Sequence, residues 1–195
     1  MHQSNQSMSG FKHFLAVAMD TALEFSEAEP THWHPAVAAS WWYRASPIAF
    51  SFLGAHVLCS LDALHAHSPV WFPWKTVGLE LLLQAVLSYM ADVHTWGRRS
   101  MWKNADAIGA CTMVLVAVCS PFLQLAGWTT YPSGMAMTFI TVIIAALFCK
   151  RASSSALRAG RLDPRNVDLC NRFLKWHTAW HLLVPIGGSV SISML

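Results

Sequence analysis

Five apolar stretches, at residues 46–64, 74–93, 102–123, 131–149 and 171–192, constrain this chain more than anything else in it. Each is long enough to cross a hydrocarbon layer about 30 Å thick, which takes roughly 17–25 residues of helix. Backbone in lipid must satisfy its own N–H and C=O groups, so such stretches fold as helices. Pro47 and Pro132 stand near the starts of the first and fourth, where proline sacrifices no helical hydrogen bond. Pro185, Gly187 and Gly188 are expected to loosen the far half of the fifth. The connectors are short, and there are no internal repeats. The expected fold class is therefore all-α, a polytopic transmembrane helical bundle over 46–195 behind an N-terminal segment, 1–45. Within that segment, 10–25 reads as an amphipathic helix lying on the membrane or beside the bundle. It does not read as a convincing signal peptide, since Asp20, Glu24, Glu27 and Glu29 follow its short apolar run with no clean cleavage site.

The chain is 54% hydrophobic and only 12% charged, which separates it from ordinary soluble domains. Ten Trp and ten Phe against three Tyr suit interfacial and lipid-facing positions. The formal charge of +3 is small and clustered, so it bears on membrane orientation and not on nucleic-acid binding. Arg98, Arg99 and Lys103 lie between the second and third stretches. Lys150, Arg151, Arg158, Arg161 and Arg165 lie between the fourth and fifth, whereas 124–130 carries no charge. The positive-inside rule then places both basic connectors and the N-terminus in the cytosol and the C-terminus outside. Cys59, Cys111, Cys119, Cys149 and Cys170 form no metal-site spacing and read as reduced packing residues.

Polar groups are expensive in hydrocarbon, so those inside the stretches need a partner, a cavity or a metal. His177 and His181 lie one helical turn apart on one face. Such a pair can give two ligands to one Zn²⁺, or it can hydrogen-bond to neighbouring helices or water. The orientation above puts the end of the second stretch and the starts of the third and fifth on the same side. Ser88, Asp92, His94, Asp106, His177 and His181 thereby come to one depth. Two histidines with Asp92, or with His94 instead, would supply three zinc ligands and leave a fourth position for water. A further carboxylate, Asp106, can take a proton, and the Ser88 hydroxyl can support a carbonyl or oxyanion. Each residue also has a plainer reading. Ser88 can bond helix to helix, and Asp92 can pair with Arg98 or Arg99. Asp106 can be a first-turn residue favoured by the helix dipole, and His94 an interfacial residue without a partner. His56, in the middle of the first stretch, leaves a b-type haem protein as an alternative.

The run Lys175-Trp-His-Thr-Ala-Trp-His-Leu-Leu-Val-Pro-Ile resembles the last-helix signature of the CREST superfamily, which includes alkaline ceramidases, adiponectin/progestin receptors and lipid-remodelling enzymes of GPI anchors. Members carry HxxxH in the final helix, Ser-x-x-x-His near the end of an early helix, and Asp at the start of the next. The resemblance implies a zinc-dependent hydrolase of lipid amides or esters in an endomembrane such as the ER or Golgi. His177 and His181 match the terminal pair, Ser88 the early serine and Asp106 the aspartate. Asp92 stands where the third histidine is expected, and His94 comes two positions later, so either can complete the metal set. The superfamily usually has seven spans, and this chain shows five. A non-catalytic receptor-like or structural membrane protein would use the same residues.

Overall fold

The structure, a computed structural model, describes residues 29–195 except Val70, Arg99 and Ala126, and the side chains of 117–125 are not described. The helix expected over 10–25 lies outside the described residues. Among those described, every regular element is a helix. A strap of short helices, α1 (His34–Ala39) and α2 (Trp41–Ala45), leads through a 3₁₀ turn at Ser46–Ile48 into α3 (Ala49–Cys59) and α4 (Leu61–Ala66). The long elements follow: α5 (Trp74–Tyr89), a π-helical turn at Met90–His94, α6 (Met101–Leu125), α7 (Ser133–Leu162) and α8 (Val167–Ile192). Trp74–His94 and Ser133–Leu162 are the two described helices long and apolar enough to cross a membrane on length and composition.

The structure departs from the sequence pattern in three places. The first stretch is not one helix. It breaks at Ser60, whose φ of −108° and ψ of 18° leave the helical region and separate α3 from α4. The fourth continues well beyond 149, so Lys150, Arg151, Arg158 and Arg161 sit on α7 and not in a loop. Residues 152–159 hold no proline or glycine, and the helix stops only at Asp163, which Pro164 pushes to φ −132° and ψ 73°. Asn166 then caps α8, its side-chain oxygen accepting from the Leu169 N–H at 3.2 Å. Finally, α8 runs unbroken to Ile192 through Pro185. Its small residues serve close packing: a Cβ on Gly187 would stand 2.2 Å from a methyl of Val142 on α7.

Two apolar cores carry the bundle. Phe50, Leu53 and Val57 of α3 pack with Leu81 and Ala85 of α5 and Ile192 of α8. At the other end, Trp33, Val37 and Tyr43 of the strap pack with Trp96, Ala156, Leu157 and Phe173. Residues 29–45 therefore belong to the packed body wherever they are described. The α3–α5 crossing depends on glycine, since a Cβ on Gly54 would lie 2.8 Å from the backbone oxygen of Gly78. Backbone cannot yield as a side chain can. Gly54→Ala should therefore destabilise the fold by about 1–3 kcal/mol, the usual cost of overpacking. Thermal unfolding in detergent checks this, and an unchanged midpoint would refute the close crossing.

Candidate metal centre

Helical spacing brings His177 and His181 to one buried face of α8. The π-helical turn at the end of α5 presents Asp92 to them. One oxygen, Oδ2 of Asp92, lies 2.9 Å from His177 Nε2 and 3.4 Å from His181 Nε2. One ligand atom from each of the three residues falls within 4.8 Å of the others. Ligands on a tetrahedral Zn²⁺, with bonds of about 2.0–2.1 Å, stand roughly 3.3 Å apart, so the group has the scale of a metal site. Both histidines are buried.

The far nitrogens of the two rings are held as well. His177 Nδ1 lies 3.3 Å from Ser153 Oγ of α7, and His181 Nδ1 lies 3.1 Å from Ser46 Oγ. Ser46 donates its own hydroxyl proton to the Tyr43 carbonyl oxygen at 2.8 Å. Its oxygen is therefore left to accept from His181, which puts the imidazole proton on Nδ1 and a lone pair on Nε2. That lone pair faces a carboxylate oxygen. Two acceptors so placed need a shared cation, either a proton or a metal. An imidazole whose second nitrogen is tied to an outer partner is the usual arrangement of a metal-ligating histidine.

A second polar group lies further along α5. Ser88 donates to Asp106 Oδ1, and Gln84 Nε2 donates to the same oxygen at 2.6 Å and to Ser88 Oγ at 3.0 Å. Gly109 makes the room: a Cβ there would stand 2.2 Å from Gln84 Oε1. Gln84 carries no motif. Its signal in the sequence is its position four residues before Ser88 within an apolar stretch. Asp106 lies beyond the first turn of α6, which begins at Met101, so the dipole reading does not hold. Ser88 stands four residues before Asp92 along the same helical run, which puts this group about one turn from the triad.

His94 is exposed and stands outside the triad, and Asp92 pairs with the histidines. Among the described residues, His56 joins no metal-binding group. The strap closes over the site. Its Tyr43 ring lies 5.3 Å from that of His177, and burial, with the nearby Asp92 charge, holds the Tyr43 phenol well above its usual range. Glu29 pins the strap by accepting from the Gly97 N–H at 2.6 Å and pairing with Lys103. Burial pushes its carboxyl above the usual value against the pull of Lys103. Comparison of the chain with family models, characterised proteins and solved structures gives no match.

If Ser46 sets the tautomer of His181, Ser46→Ala should weaken affinity for added Zn²⁺ about 10- to 100-fold, as losses of outer hydrogen bonds do. Competition with a chromogenic chelator measures it. Affinity equal to that of the wild type would remove Ser46 from the site.

Proposed function

We propose that this chain is a multi-pass membrane protein that holds one Zn²⁺ on Asp92, His177 and His181 and hydrolyses an amide or ester bond of a lipid. The observation that carries the reading is the convergence of His177 Nε2 and His181 Nε2 on Asp92 Oδ2, at 2.9 Å and 3.4 Å. Zinc bound there supplies Lewis acidity and a water of lowered pKa. Asp106 takes part as proton acceptor. Its Oδ1 already accepts two hydrogen bonds, which leaves Oδ2 for the proton. Ser88 holds Asp106, and its hydroxyl can turn to a substrate carbonyl only by giving up that bond.

The substrate class follows from an apolar cavity beside the triad. Its volume is ≈ 130 Å³, and its walls include Phe50, Leu53, Trp74, Phe139, Trp180 and Val184. Phe50 also packs on His181, with ring centres 5.7 Å apart. An acyl chain in that cavity would bring its carbonyl end toward the triad. Five membrane-crossing segments, the first of them the broken pair α3 and α4, are supported by the outward-facing Phe52, Leu83, Ile108, Ile144, Phe148 and Ile186, and a cytosolic N-terminus by the basic residues after the second and fourth stretches. At 30 residues α7 is about 45 Å long, more than the hydrocarbon layer, so its basic end can stand in the cytosol.

One observation favours a non-catalytic, receptor-like reading: Ser88 and Asp106 satisfy one another. Haem has no such support, since the two histidines buried among the described residues lie on one helix and converge on one carboxylate.

Elemental mass spectrometry of the detergent-purified protein should find about one zinc per chain, lost in the His177→Ala/His181→Ala variant. Zinc-free wild type, purified without chelators, would overturn the metal reading. Asp106→Asn should keep its zinc and lose hydrolysis of acyl-amide and acyl-ester lipids about 10²-fold or more. Equal turnover in both proteins would leave Asp106 structural.

A further inference from the structure

Among the described residues, side-chain hydrogen bonds and ion pairs tie the strap to the rest of the bundle only at its two ends, through Glu29 and Ser46. The Glu29 carboxylate accepts from the Gly97 N–H at 2.6 Å and pairs with Lys103 of α6. Ser46 donates to the Tyr43 carbonyl oxygen and meets His181. Between these ends the strap is held by packing alone: Trp33, Val37 and Tyr43 share a core with Trp96, Ala156, Leu157 and Phe173. The Glu29 end is shaped for contact. Gly97 takes a φ of 75°, and a Cβ there would stand 2.3 Å from His34 Nε2 of the strap, so glycine serves both the turn and the approach.

Closing the strap has a cost. Trp33 Nε1, Tyr43 Oη and Trp96 Nε1 are buried donors with no acceptor among the described residues. All three belong to the core that the strap completes. Water would satisfy them if the strap lifted, so each favours an open arrangement over the closed one. The Glu29 bonds and the burial of Trp33 and Val37 act in the other direction. A segment held between such opposing terms has two accessible arrangements. The closed one shields the triad, with the Tyr43 ring 5.3 Å from that of His177. An acyl chain can approach through the apolar cavity, but its walls disfavour water or a metal ion.

We propose that the strap is a hinged lid, latched by Glu29 on Gly97 and Lys103, whose lifting about the turn at Ser46–Ile48 admits metal ions and water to the triad. The lid stands apart from the reaction assigned above: it gates the same three residues in an enzyme or in a receptor.

Two native thiols read the motion. Cys170 is buried in the same core as Trp33 and Val37, whereas Cys149 is buried in a separate core around Trp180 and serves as the control. The full chain in nanodiscs is labelled with iodoacetamide, and each cysteine is followed by peptide mass spectrometry. Where lid motion is fast relative to labelling, the rate follows the open population. Glu29→Ala should speed labelling of Cys170 about tenfold or more, the scale of one hydrogen bond to a charged group, and leave Cys149 unchanged. Tyr43→Phe, which removes one unpaired donor, should slow it. Release of added zinc to a chelator should quicken in Glu29→Ala alongside the thiol. Equal Cys170 labelling in wild type and Glu29→Ala, or faster labelling of both cysteines, would overturn the lid. Faster Cys170 labelling with unchanged zinc release would overturn its control of the triad. The thiol readout needs no metal, so a chain that takes up no zinc would count against the metal reading alone.

Discussion

An ionisable group taken out of water must be matched atom by atom, and Asp92, His177 and His181 meet that demand only by converging. Desolvation of each group costs several kcal/mol, and proximity without correct orientation does not offset it. The surrounding elements supply that orientation. The turn at Met90–His94 presents the carboxylate, α8 presents two Nε2 atoms, and Ser153 and Ser46 hold the rings from behind. Removing any one of these leaves a buried polar atom facing nothing.

The same constraint explains the polar line on α5. Gln84, Ser88 and Asp92 recur every four residues on one face, in a helix otherwise free to be apolar. Gln84 and Ser88 meet Asp106 of α6, while Asp92 meets α8. One face of α5 thus joins two neighbours through two polar groups of different composition. One group has nitrogen and oxygen lone pairs turned inward, suited to a cation. The other has a carboxylate held by two donors, suited to receiving a proton.

Depth and register are set by apolar contacts with no margin. Glycine at 54 lets α3 approach the backbone of α5, and glycine at 187 lets α8 approach Val142 of α7. At one end of the bundle Trp33 and Tyr43 pack with Trp96 after α5, Ala156 and Leu157 of α7 and Phe173 of α8. The strap contributes chemistry as well as cover, because Ser46, at its junction with α3, is the residue that orients His181.

The sequence by itself determined that the described residues are helical, where the apolar parts of α5 and α7 lie, and that His177 and His181 share one face of a helix. Those features follow from local periodicity and from the cost of polar groups among apolar ones, both of which a linear pattern records. It did not reveal the break at Ser60 or the length of α7, because hydropathy falls at Lys150 and Arg151 while the helix itself continues to Leu162. The choice between Asp92 and His94 belonged to the tertiary structure, since each residue along a helix turns a side chain by about 100° and the π turn alters that count. So did the parts played by Ser46 and Ser153. No spacing links them to the histidines, and only the packing of α7 and of the turn before α3 against α8 brings their hydroxyls within reach.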